Sequence, residues 1–286
     1  MLAEQDFRYI QDLVRERAAI VLDPGKEYLA VTRLDPLVRR AGLGSLSELV
    51  TALREERTSA LHEEVVDALT TNETTWFRDV HPFERLRAHV LPDLIERKRL
   101  SRTLFIWSAG CSSGQEPYSL AMLLREDFPE LDDWQISIVG TDVSAAMLER
   151  ARAGLYGQIE INRGLPAHLL VKYFRRVGVR WELDERIRSM VRFERWNLMG
   201  PWTSLPPMDL VLMRNVMIYF DMATKRELLA RVRDVLAPHG YLLLGSSETT
   251  LHIDGAFRRD AVAATGWYRK EQRLSLIHIS EPTRRS

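Results

Sequence analysis

Apolar residues recur at helical spacing through the first 80 residues, and no strand-like alternation interrupts them. Phe7, Ile10, Leu13, Val14 and Ala18 trace one face of a first helix, and Asp23-Pro24-Gly25 breaks the pattern. The spacing predicts a second helix from about Glu27 to Arg40 that stops before Gly42 and Gly44, with Pro36 marking a kink or a start inside it. Ser45 or Ser47 suits the cap of a third helix ending near Arg54. A fourth runs from about Ser59 to Leu69, with Leu61, Val65, Val66 and Leu69 on one face. Short links favour antiparallel neighbours, so residues 1–80 read as an all-α bundle.

After Pro82 the pattern changes. A charged helix over 83–99 leads into the apolar strand TLFIWS at 103–108, then a helix over 117–127 and the strand ISIVGT at 136–141. Ser144 caps a helix over 145–153 and Gly154 closes it. The strand DLVLM (209–213), a helix over 222–236, the turn Pro238-His239-Gly240 and the strand YLLLG (241–245) follow. Two short strands near 256–263 and 266–270 suit a closing hairpin. Apolar strands alternating with amphipathic helices indicate an α/β fold with a doubly wound, mostly parallel sheet over residues 81–270. Residues 174–195 depart from that alternation and read as a small antiparallel β-excursion, with 8 Lys/Arg against 4 Asp/Glu between Lys172 and Arg195. Residues 271–286 match nothing before them and read as a non-native or disordered tail.

Composition narrows the classes. The chain is 45% hydrophobic and 28% charged, as in ordinary globular proteins, and its 40 basic and 40 acidic residues cancel. Bulk charge thus gives no argument for nucleic acid. Residues 1–80 hold 10 Lys/Arg and 15 Asp/Glu, so the remainder is net basic. Cys111 is the single cysteine, which excludes an intrachain disulfide and fits a reducing compartment. No apolar run approaches a membrane span, and the acidic, amphipathic N-terminus is not a signal peptide, so a cytoplasmic location is expected. The histidines show no metal-ligand spacing, and no metal site is expected.

The chemistry gathers at strand ends. The first strand runs into Ala109-Gly110-Cys111-Ser112-Ser113-Gly114, where glycines permit a sharp turn and close approach of a ligand. Glu116 opens the next helix. A carboxylate there repels a pyrophosphate and attracts an ammonium or sulfonium, favouring S-adenosylmethionine over a dinucleotide; a helix-dipole role is the plain alternative. Asp142 ends the second strand, where an acid accepts hydrogen bonds from both hydroxyls of a ribose or merely caps a helix. Asn197-Leu198 and Arg214-Asn215 also fall at crevice positions, the former suited to adenine, the latter to a ligand or to a structural pair. Thr70 to Asp79 lies at the junction of the two regions and suits either a lid or a hinge.

Together TTNETTWFRD (70–79), SAGCSSGQEPYSLAM (108–122), GTDVS (140–144), MRNVMIYFD (213–221) and YLLLGSSE (241–248) resemble the chemotaxis receptor methyltransferases, the CheR family. The resemblance spans about residues 5–270. It implies a helical N-terminal domain, a Rossmann-like methyltransferase domain and a small antiparallel β-subdomain. It also implies methyl transfer from S-adenosylmethionine to receptor glutamates, leaving S-adenosylhomocysteine. The ligand contacts it suggests are Asn72, Thr74, Arg78, Glu116, Asp142, Asn197, Leu198, Arg214 and Asn215. Ser246-Ser247-Glu248 stands where many members have His-Ser-Glu. Members that tether to a receptor's C-terminal pentapeptide have a Gly-rich insertion in the β-subdomain; here FRRVGVRWELDERI is short and holds only Gly178. No pentapeptide tether is therefore expected.

A glutamate acceptor is anionic at neutral pH, its ordinary pKa being about 4.3, so methyl transfer to it needs positioning rather than a strong base. Tyr219 is the candidate neighbour of the methyl group, or a core residue. The expected partners are chemoreceptor helices or a receptor-like protein, met by a monomer through the basic excursion and Arg97, Lys98, Arg99 and Arg102. A methyltransferase of the same fold with another protein or small-molecule target, and a non-catalytic S-adenosylmethionine-binding signalling module, are the other readings.

Overall fold

A computed structural model of the chain describes residues 2–55, 60–202, 205–263 and 266–271; Ser59 and the tail beyond 271 fall outside them. The N-terminal bundle consists of α1 (Glu4–Ala18), α2 (Glu27–Arg40), α3 (Leu46–Glu55) and α4 (Ala60–Leu69). The expected face of α1 is the buried one: Phe7, Ile10, Leu13, Val14 and Ala18. They meet Leu34, Leu49, Leu53 and Val65, each fully buried and each contributing about 1.5–3 kcal/mol. The helix α2 runs unbroken through Pro36. Ser45 is the cap of α3: its Oγ accepts from Glu48 N at 3.2 Å, and the Glu48 carboxylate accepts back from Gly44 N at 2.9 Å. Ser47 instead donates to Asp6 of α1 at 2.7 Å.

The charged helix after the junction forms in three pieces, α5 (His81–Arg85), a π-helical turn over Leu86–Val90, and α6 (Leu91–Lys98). Pro92 at the start of α6 has no N–H to donate and crowds the turn before it, which the wider π turn accommodates. There follow β1 (Thr103–Ala109), α7 (Gln115–Asp127), β2 (Gln135–Asp142), α8 (Ala145–Ala153), β3 (Leu155–Gly157), α9 (Gln158–Ile161) and α10 (Ala167–Tyr173). The chain continues through β4 (Phe174–Val177), β5 (Arg180–Leu183), α11 (Glu185–Arg188), β6 (Val191–Arg195) and β7 (Met208–Met213). It ends in α12 (Met222–Val235), β8 (Leu236–Leu244), β9 (Phe257–Arg259) and β10 (Trp267–Lys270).

The large sheet has seven strands in the order β6-β2-β1-β7-β8-β10-β9. Strands β6, β2, β1, β7 and β8 are parallel, and β10 and β9 close it as an antiparallel pair. The order reverses between β1 and β7, the switch point at which open α/β sheets hold ligands beyond the carboxyl ends of their strands. Pro238-His239-Gly240, expected as a turn before a strand, bulges out inside β8, where the register jumps between Met208 and Leu210.

A second, antiparallel sheet has the order β3-β5-β4. The excursion expected over 174–195 is thus drawn differently. Leu155–Gly157 supplies its third strand, and Val191–Arg195 leaves it to pair in parallel with β2 as an edge of the large sheet. Alternation of exposed charge along VRFER looks the same on either sheet; the partner strand decides, and sequence spacing does not encode it. Trp76 anchors the small sheet to the junction, packing edge-on against Tyr156 at 4.9 Å and Phe174 at 5.4 Å between ring centroids. Among the described residues no helix is long and apolar enough to cross a membrane.

Candidate functional site

A cleft opens over the carboxyl ends of β1, β2, β6 and β7. All nine suggested ligand residues line it, and so does Tyr219. Its far wall comes from the helical bundle through Ala18 and Ile20. Three contacts hold that wall in place. Val21 N donates to Tyr219 O at 2.9 Å, Asn197 Nδ2 donates to Arg17 O at 2.8 Å, and Arg15 pairs with Asp221 at 3.1 Å.

The floor is the turn after β1. Gly110 has φ +72°, and a Cβ there would stand 2.5 Å from Val216 Cγ2, so only glycine lets the β1 and β7 turns approach. Asp142, 8% exposed, braces this turn: its Oδ2 accepts from Ser112 N at 2.8 Å and its Oδ1 from Ser144 N at 2.9 Å. Burial pushes its carboxyl above the ordinary range, with the backbone donors of Ser144 and Ser112 opposing. Asp142 is not the helix cap, since Ser144 caps α8 by accepting from Met147 N; Asp142 braces the turn and lines the cleft.

Glu116 and Arg214 form a buried ion pair, Nη1 to Oε2 at 3.2 Å, with side chains 11% and 2% exposed. Ser108 Oγ donates to the other Glu116 oxygen at 2.8 Å. Arg214 Nη2 reaches the junction segment, donating to Asp79 Oδ2 at 2.8 Å and Arg78 O at 2.9 Å. The Glu116 carboxylate, read from sequence as free to attract a cation, therefore shares its charge with Arg214. Arg214 Nε and Asn215 Oδ1 are buried without a partner, a costly state unless a ligand supplies one.

Within the junction, Asn72 Nδ2 donates to Thr70 Oγ1 at 3.0 Å, and Asn72 O accepts from Ser112 Oγ at 2.9 Å. Arg78 donates to Glu73 O at 3.0 Å and, among the described residues, pairs with no carboxylate. Thr74 sits on the rim of the same cleft. On the opposite side Asn197 is engaged: one amide N–H goes to Arg17 O, and its Oδ1 accepts from Met199 N at 2.9 Å. Its side chain ties the bundle to the cleft, with the Leu198 and Ile20 side chains beside it.

Comparison with known proteins decides the family. Residues 72–264 match the family described as CheR methyltransferase, SAM binding domain, and residues 5–70 match the CheR methyltransferase all-alpha domain. The chain belongs to the CheR methyltransferase family. It is 45% identical to chemotaxis protein methyltransferase 1 of Pseudomonas aeruginosa, covering 86% of this chain and 90% of the relative. It is 42% identical to chemotaxis protein methyltransferase Cher2 of Pseudomonas putida, over 85% and 90%. A Vibrio parahaemolyticus chemotaxis protein methyltransferase is 38% identical over 90% of this chain and 93% of its own. The cofactor of this CheR chain is S-adenosylmethionine, and the cleft fits it: an acid at the end of β2 and another opening α7, an arginine that pairs with no carboxylate among the described residues, and two buried polar atoms in want of partners.

Several contributors escaped sequence reasoning. Ser108 and Ser112 sat inside a motif read for its glycines, and their partners, Glu116 across the turn and Asn72 in the junction, left no mark in the spacing. Asp79 was visible only as part of the junction string. Ala18 and Ile20 had no signal at all, because nothing in a helical period says which loop covers a distant sheet.

Proposed function

We propose that this chain transfers methyl groups from S-adenosylmethionine to glutamate side-chain carboxylates of a chemoreceptor or receptor-like protein. The observation that carries the reading is that the described cleft residues offer no free base: Glu116 pairs with Arg214, Glu73 with Arg163, and Asp142 accepts from two backbone N–H groups. Among the described residues no histidine lines the cleft, and burial holds the Cys111 thiol well above its ordinary pKa and therefore protonated. An amine or alcohol acceptor arrives protonated and needs such a base; a carboxylate does not.

When bound, S-adenosylmethionine supplies an electrophilic methyl group. Asp142 accepts from the ribose hydroxyls, Arg78 holds the amino-acid carboxylate, and Asn215 Oδ1 and Glu116 face the ammonium. Thr74 and Asn72 close the rim. Arg214 offers its unpaired Nε–H to the acceptor carboxylate, and Tyr219 borders it. No proton has to move, so these residues work by alignment and by excluding water from the nucleophile. The acceptor is an acidic segment, met by the basic surface around β4 and β5 without a pentapeptide tether.

The test is methyl transfer from labelled cofactor to membranes bearing chemoreceptors. Base-labile label on receptor glutamates is the expected result. Cofactor binding with no transfer to any cellular protein would refute the reading.

A further inference from the structure

Glu248 lies in the turn after β8 and is 7% exposed. Its carboxylate accepts four backbone N–H groups. Oε2 accepts from Gly245 N at 2.7 Å and Asn215 N at 2.8 Å; Oε1 accepts from Val216 N at 2.9 Å and Ile218 N at 3.3 Å. Among the described residues no lysine or arginine forms an ion pair with it. Three of the four donors belong to one turn, residues 214–219, which joins β7 to α12 and carries Arg214, Asn215 and Tyr219 into the cleft.

That turn holds itself by only two backbone bonds toward its far end, Tyr219 N to Val216 O at 3.4 Å and Phe220 N to Met217 O at 3.1 Å, and neither reaches Asn215. Asn215 has φ +59°, a left-handed conformation that asparagine tolerates but does not prefer. With Glu248 in place, the amides at 215, 216 and 218 converge on one anion and the turn has a single shape. That shape leaves Asn215 Oδ1 buried and unpartnered on the cleft wall. Gly245 completes the cradle: a Cβ there would stand 2.8 Å from Glu248 Oε2 and 2.9 Å from Asn215 N.

We infer that Glu248 is a positioning residue for the cofactor, pinning the 214–219 turn so that Asn215 presents its side-chain carbonyl to the ligand's ammonium. The inference rests on the proposed reading of Asn215 as a ligand contact. Glu248 touches no ligand; it acts through the backbone of the residue that does.

S-adenosylhomocysteine affinity by calorimetry, with thermal unfolding alongside, tests this in E248Q, N215A and the double variant. Glutamine keeps the size but turns an amide toward two N–H donors. E248Q and N215A each weaken binding about tenfold, the scale of one lost hydrogen bond to a charged group, and the double variant binds no worse than either alone. Additive losses, or an E248Q protein that melts earlier yet binds like wild type, would overturn the inference. Weakened N215A with unchanged E248Q overturns it alone, whereas unchanged N215A removes the reading of Asn215 and the inference with it. G245A displaces the carboxylate without deleting it. It loses affinity similarly, and carries the test if E248Q does not fold.

Discussion

Arg214 in the cleft and Arg175 in the small antiparallel sheet each pair with a glutamate, in very different surroundings. The Arg214 side chain is 2% exposed and bridges α7 to the junction through Glu116 and Asp79. The Arg175 side chain is 78% exposed and meets Glu182 across one pair of β-strands. Water screens the second pair, and its geometry adds little beyond what the strand pairing already fixes. In the cleft Arg214 and Glu116 have been taken out of water, and each is tolerable only while the other stays, whereas Asp79 remains partly exposed. The sheet's ion pairs decorate a fold, whereas those in the cleft join α7 to the junction segment from inside it.

The largest effect expected is at Arg214. Arg214→Met leaves Glu116 buried with only the Ser108 hydroxyl against it, and should cost about 3–5 kcal/mol of stability, read by denaturant unfolding. Adding Glu116→Gln removes the stranded charge and should recover much of that loss while methyl transfer stays abolished. Recovery of both would mean that the pair is structural and the cleft does its chemistry elsewhere.

The second effect is at Asp142. Asp142→Ala should weaken S-adenosylhomocysteine binding by about 1–3 kcal/mol, the loss of a charged acceptor. Unchanged affinity on calorimetry would leave Asp142 as a brace for Ser112 and Ser144 and nothing more. A pH profile sharpens the point. Burial raises this carboxyl in the folded protein, so the folded state takes up its proton more readily than the unfolded chain. Its contribution to stability is therefore present below the unfolded value, about 3.9, and lost as pH rises through the folded one. Ligand affinity runs the opposite way, because only the ionised carboxylate accepts from both hydroxyls. Wild-type affinity should fall on acidification through the raised value, and the Asp142→Asn variant should show no such inflection.

The contrast also explains what was legible in the sequence. The helical bundle was readable because α1 and α4 present one apolar stripe each, and the parallel core because β1, β2 and β7 are short apolar runs ended by Gly, Asp and Asn. The cleft residues were legible as strand-end polar groups out of place in an apolar sheet. Their pairings were not: that Asn197 gives its amide N–H to Arg17, or that Glu248 gathers three N–H donors from the turn after β7, depends on contacts 30 or more residues apart. The small sheet was read least well. Its strands are three or four residues long, half-exposed and rich in arginine, so neither period nor burial distinguishes β6, which belongs to the large sheet, from β4 and β5, which do not.

The smallest effects are expected in that small sheet, and they bear on how a substrate is met. Arg175→Ala should change stability by less than about 1 kcal/mol, since the pair is largely exposed. The hairpin carries a two-residue connection, Gly178-Val179, with Val177 paired to Arg180. Its outer strand, β4, spans only four residues, so it offers few free backbone groups to a peptide adding as a further strand. A receptor-tail pentapeptide should accordingly show no measurable heat of binding, and Arg175→Ala should leave methyl transfer to a tailless receptor near the wild-type rate. Micromolar pentapeptide binding that Arg175→Ala weakens would place a recognition site in the small sheet. The comparison would then break at its weaker end, because those exposed arginines would hold a specific peptide rather than only attract an acidic acceptor.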